Sequence, residues 1–197
     1  MTRLSTPSSF NLAWAIIGTT TIGMSLSMVL AQDTQWMQWH LSRLGEGGSL
    51  SAAIFNYTLI VIALIYVLLA TRITDEVALL RHAKPTKLRL LMIITALCWA
   101  GVGMFPFDTF PVIHNIFGYG QFFIVCGTLL ALRQLAPVFS EKTYIVGFSV
   151  VIISGLFMAL FHLTHFTSLL VVELIGQLGV FVWLIAMTRD LRRRVAN

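Results

Sequence analysis

The chain has 197 residues, is 57% hydrophobic and carries only 11% charged residues. Soluble domains average about 25% charged residues, so the composition is that of a membrane protein. The formal charge of +5 is read as basic loops on the cytoplasmic side rather than as a nucleic-acid patch, because no basic recognition element accompanies it.

Residues 1–10 are polar and include Arg3, and residues 11–31 then run apolar without a charge. Val29-Leu30-Ala31 resembles a signal cleavage site, but the apolar stretch exceeds a typical signal core. It is read as the first spanning helix. Residues 32–50 form the longest polar connection, with Trp36 and Trp39 suited to the membrane interface and Gly45, Gly47 and Gly48 breaking local structure.

A second helix is expected over residues 51–71. Residues 72–89 then read as a basic loop with Arg72, Arg81, Lys84, Lys87 and Arg89. The third helix is expected over 88–105 and the fourth over 112–132. Between them stands Gly101-Val102-Gly103-Met104-Phe105-Pro106-Phe107-Asp108-Thr109-Phe110-Pro111, with His114 just beyond. The fifth and sixth helices are expected over 143–163 and 168–188, and the tail ends in Arg189, Arg192, Arg193 and Arg194.

These spans give one all-α domain over residues 1–197, a six-helix transmembrane bundle. With both termini cytoplasmic, 12 of the 13 basic residues lie inside and only Arg43 lies outside. The positive-inside rule therefore predicts an N-in, C-in topology. Cys98 and Cys126 both fall in apolar runs and read as packing residues.

This orientation sorts the polar residues. His82 is placed in a cytoplasmic loop. His40, His114, His162, His165, Asp33, Ser42, Arg43, Glu46, Asp108, Asn115 and Glu173 collect at the outer face. Asn56, Glu173 and Gln177 lie in the outer third of their helices. An unpaired carboxylate inside a span is costly, which makes Glu173 the sharpest candidate for a ligand site, a proton relay or a metal site. Interhelical hydrogen bonding or snorkelling is the competing account. Gln177 shares its face at i+4.

The candidate ligand-binding set is therefore Ser42, Asn56, Asp108, His114, Glu173 and Gln177. Asp108 most simply caps the fourth helix or its turn. Ser42 is a nucleophile only with a base nearby. His162 and His165 are at i, i+3 and, with His114, form a candidate metal set. Zinc activating water, or a single haem b held between His114 and His162, are the cofactor chemistries such a set allows. The HxxxH pair usual in intramembrane zinc hydrolases is absent.

Two segments carry a family resemblance. One is Leu41-Ser42-Arg43-Leu44-Gly45 followed by Ala53-Ile54-Phe55-Asn56; the other is the Gly101 to Asp108 run with His114 six residues on. Together they resemble a bacterial family of six-helix membrane proteins of unknown function, the DUF998-type domain. That family is similar to the DRAM/Sfk-type membrane proteins, whose members include a lipid-remodelling factor for GPI anchors. Arg43 stands where an acidic residue is common in such families, so no carboxylate role carries over to that position. The resemblance implies the six-helix fold and a membrane location, and no reaction.

Three functions remain open from sequence. One is an outward-facing site that binds or processes a lipid-type ligand, with membrane lipids as partners and no nucleic acid. The second is an accessory or assembly subunit beside other membrane proteins, for which glycines 118, 120, 127, 147, 155, 176 and 179 would permit close helix approach. The third is a single-haem electron carrier.

Overall fold

A computed structural model describes residues 7–32, 34–81 and 85–196. Arg3, Asp33, His82 and Lys84 lie outside the described residues. Six helices follow in order: α1 (Ser9–Leu30), α2 (Leu50–Arg81), α3 (Thr86–Met104), α4 (Pro111–Leu135), α5 (Glu141–Thr164) and α6 (Leu169–Ala196). Each has a segment long and apolar enough to cross a membrane. Among the described residues there is no strand.

The helix starts follow local chemistry. The hydroxyls of Ser8, Ser49 and Ser140 accept backbone N–H groups of Asn11, Ala52 and Thr143, satisfying donors that a helix leaves open. Helix α4 opens instead with Pro111, whose missing N–H is no loss in the first turn.

Two helices run past the expected ends. Helix α2 continues ten residues beyond Thr71, to Arg81. At 32 residues it is about 48 Å long, more than a bilayer core needs. The stretch read as a basic loop is helical because Ile73 and Val77 continue the buried stripe, and neither Gly nor Pro interrupts it before Pro85. Helix α6 likewise absorbs the arginine tail, with Leu191 fully buried and Arg194 Nε 3.1 Å from Asp190 Oδ1.

Helix α2 is the axis of the packing. Phe55, Leu59, Ile62, Tyr66, Leu69, Ile73 and Val77 recur at three- and four-residue intervals and are all buried. Helices α1 and α3 flank this stripe, α6 touches it, and α4 and α5 complete the bundle. The opposite faces stay apolar and exposed, as on Val61, Leu64 and Leu68 of α2 and Ile145, Phe148 and Ile152 of α5. Such an outer surface suits lipid tails.

Within the bundle, the tightest helix approaches also use glycines outside the expected set. A Cβ on Gly103 would stand 2.7 Å from the carbonyl oxygen of Asn56, and one on Gly23 would stand 2.1 Å from Thr58 Oγ1. Of the expected set, Gly179 is tight, with Val150 Cγ1 at 2.8 Å. Glycines 118, 127, 155 and 176 face open space.

At the end that holds both termini, two carboxylates tie helix starts to neighbouring helices. Glu76 of α2 accepts the N–H and hydroxyl of Ser9. Asp190 of α6 accepts the Ser140 N–H at 2.6 Å and the Thr143 hydroxyl at 3.0 Å. Both sit where a helix N-terminus presents partial positive charge.

Candidate functional site

The opposite end is closed by the connection between α1 and α2. It folds into two short 3-10 turns, Gln35–Met37 and Leu41–Gly45. Side chains from three elements pin it. Glu173 Oε2 of α6 accepts the Leu41 N–H. Asn56 Nδ2 of α2 donates to the Gly45 carbonyl at 3.0 Å. Asp108 Oδ2, from the α3–α4 turn, accepts the Gly47 N–H at 2.9 Å. Gly47 and Gly48 have φ of 76° and 64°, a backbone conformation natural to glycine. The Trp39 carbonyl also accepts the Leu170 N–H at 3.1 Å, anchoring the connection to the start of α6.

Asp108 therefore does not cap α4, whose N-cap Phe110 makes no side-chain bond. It holds the connecting loop. Asn56 does the same, and both line a separate hollow beside residues 45–49, away from the main cavity.

The main cavity has a volume of about 420 Å³ and is walled by all six helices and by residues 39–42. Helices α4 and α6 face each other across it and scarcely touch. Of the candidate set, Ser42, His114, Glu173 and Gln177 all line it, joined by His40. These groups crowd the end beneath the loop. Leu59, Val125, Leu129, Val150 and Val180 make most of the remainder apolar, interrupted by Asn115, Tyr119, Gln121 and Ser154.

The polar end is a connected network. Ser42 Oγ lies 3.0 Å from His40 Nδ1 and is also hydrogen-bonded to Glu173. His40 Nε2 is 4.0 Å from Glu46 Oε1. The ring of Phe107 stands edge-to-face with His40 at 5.3 Å and with His114 at 5.7 Å, separating the two imidazoles. His114 Nδ1 lies 2.9 Å from the Phe105 carbonyl. A carbonyl only accepts, so Nδ1 carries the proton, and in the neutral ring Nε2 is left as an acceptor.

One proton argument limits the chemistry. A serine hydroxyl has one proton to give. When it goes to an ionised Glu173, His40 Nδ1–H must donate to Ser42 rather than take its proton. Ser42 then lacks the imidazole base that a nucleophile requires. With Glu173 ionised, the network fixes groups in place for binding. His40 is held neutral below its ordinary value of 6.5, chiefly by burial, then by the neighbouring His114 and Arg43.

The candidate metal set does not assemble. His162 is exposed on α5 beside Phe161 and Tyr119, with ring centroids at 4.8 and 6.2 Å. His165 is an exposed left-handed residue ending α5, at φ 54°. Among the described residues, no group of three or more His, Cys, Asp or Glu side chains is placed to hold a metal ion. Of the two histidines considered for a haem, His114 is buried with its Nδ1 on the Phe105 carbonyl, while His162 is exposed beside Tyr119.

Sequence reading placed His40 at the correct end but did not pair it with Ser42. The signal was the His-x-Ser spacing, which lets an extended residue and the start of a 3-10 turn bring both side chains together. Trp99 and Phe107 were also missed as cavity residues, because apolar and aromatic residues abound in the chain. No family model, curated protein or solved structure matches the chain.

Proposed function

We propose that this protein binds a lipid-type amphiphile in its bundle cavity, with the polar head beneath the 31–49 connection and the tail among the apolar walls. The observation that carries this is the cavity itself. It gathers His40, Ser42, His114 and Glu173 at one end, is mostly apolar along the rest, where Tyr119, Gln121 and Ser154 also face it, and lies within the roughly 300–1,000 Å³ of ligand sites. The distribution of basic residues supports an N-in, C-in orientation, with the polar end outward, in a bacterial cytoplasmic membrane. The motif resemblance to six-helix membrane proteins supports the same location. Ser42, His40, His114, Glu173 and Gln177 are the head-binding residues. Asn56 and Asp108 act at one remove, by holding the loop.

Gly176 supplies the test, because it lines the cavity and a Cβ there meets nothing within 4 Å. Protein purified in mild detergent should carry a co-purifying lipid at near one-to-one stoichiometry by mass spectrometry. Gly176→Leu should fill the cavity, lose that lipid and keep its melting temperature. Equal lipid content in both proteins would remove the reading.

A further inference from the structure

Four polar groups of the cavity stand at two depths; Asn115, Tyr119, Gln121 and Ser154 also line it. Nearest the loop stand acceptors. Glu173 takes the Leu41 N–H and the Ser42 hydroxyl, and a carboxylate has lone pairs for about two more donors. His114 Nε2 is the other acceptor, four residues into α4. Deeper stand donors. Gln177 lies one turn, about 6 Å, below Glu173 on the same face of α6. Trp99 lies five residues inside the end of α3 and is only 2% exposed. Gln177 Nε2 and Trp99 Nε1 are both buried, and neither has a hydrogen-bond partner. Buried donors are ordinarily paired; Trp183 Nε1 is unpaired as well, but Gln177 and Trp99 belong to residues that line the cavity, which has room for an acceptor.

No Lys or Arg is among the residues lining the cavity. The guanidinium of Arg43 lies over the exposed ring of Trp39, 5.4 Å from its centroid. A phosphate or carboxylate head would enter beside the Glu173 carboxyl, with the nearest described guanidinium, that of Arg43, at the rim over Trp39 rather than among the lining side chains. The volume lies near the lower end of the range for ligand cavities, which suits one chain better than two.

Resting on the amphiphile-binding reading above, we propose that the ligand is an uncharged single-chain acyl ester or amide with a hydroxyl-bearing head. Its hydroxyl groups donate to Glu173 and His114 Nε2. Its acyl carbonyl accepts from Gln177 Nε2 and Trp99 Nε1. Its chain runs down past Leu59, Val125 and Leu129.

The experiment is a titration of the purified protein in nonionic detergent, followed by native mass spectrometry. Four oleoyl-length probes differ only at the head: monooleoylglycerol, its ether analogue 1-O-oleylglycerol, oleate and oleoyl-lysophosphatidate. Monooleoylglycerol should bind at least about tenfold more tightly than either anion. The ether, which lacks the carbonyl, should bind about three- to tenfold more weakly than the ester. Gln177→Leu should narrow that ester–ether gap by about twofold or more, with Trp99 Nε1 left as the one donor, at an unchanged melting temperature. Gly176→Leu should abolish binding of the ester.

An anion binding as tightly as the ester would overturn the proposal and leave the amphiphile reading in place. So would an ester–ether gap left unchanged by Gln177→Leu. Binding of the ester that survives Gly176→Leu, or no binding of any probe, would overturn both.

Discussion

The carboxylate of Glu173 in α6 accepts the backbone N–H of Leu41, a residue 132 positions earlier in the chain. One side chain thereby joins the loop that closes the cavity to the helix that walls it. Glu173→Leu would strand the Leu41 N–H and the Ser42 hydroxyl together. It should destabilise the protein by about 1–3 kcal/mol. Glu173→Gln keeps an acceptor oxygen and should cost less than about 1 kcal/mol. Thermal unfolding in detergent distinguishes the two. Equal losses would mean that the charge, and not the hydrogen bonds, holds the loop.

Gly103 is where α3 lies against the backbone of α2. A methyl group there meets the Asn56 carbonyl oxygen at 2.7 Å, and backbone cannot swing aside as a side chain can. Gly103→Ala should lower stability by about 1–3 kcal/mol despite the gain in helix propensity. Gly118→Ala, facing open space on α4, should be neutral or slightly stabilising. A melting-temperature comparison of the pair checks this; a loss at Gly118 matching that at Gly103 would contradict it.

Acid should loosen the loop through His40. Its folded-state pKa lies below 6.5, so the folded protein binds fewer protons than the unfolded chain in the window beneath that value. Stability is therefore full above pH 6.5 and falls as pH drops from there toward the folded pKa, levelling off below it. His40→Gln removes this titration, and the variant should show a flatter melting temperature between pH 7.5 and pH 5. A parallel fall in both proteins would assign the acid sensitivity elsewhere.

At the end that holds both termini, Asp190 joins α6 to the start of α5. Asp190→Ala removes the acceptor of the Ser140 N–H and the Thr143 hydroxyl. The expected loss is about 1–2 kcal/mol. Hydrogen exchange should report faster opening of the first turn of α5, with the first turn of α1 unchanged because Glu76 holds it separately. Equal acceleration at both would show one coupled unit.

How much of this was legible follows from what a sequence encodes directly. Depth along a helix axis can be counted from residue number, so the six spans were readable, and so was the level of Glu173 and Gln177. Rotation about that axis is set by packing. His114 and His162 therefore looked equivalent, yet one is buried against Phe105 and Phe107 while the other is exposed. The helical extension of α2 was present in the spacing of Ile73 and Val77 but was obscured by charges that signal a loop to a hydropathy count. Asp108 was misassigned for a further reason. Its partner is the N–H of Gly47, 61 residues away, which no local capping rule can see.

The described connection between α1 and α2 is fastened at four points, Gly45, Gly47, Leu41 and Trp39, by three elements: α2, the α3–α4 turn and α6. A cavity shut from above in this way is best reached from the side, where α4 and α5 form the most loosely packed seam between consecutive helices. Its occupancy would then track the mole fraction of ligand in the surrounding bilayer rather than any concentration in water. A poorly soluble molecule, invisible to most aqueous assays, would be its ordinary company.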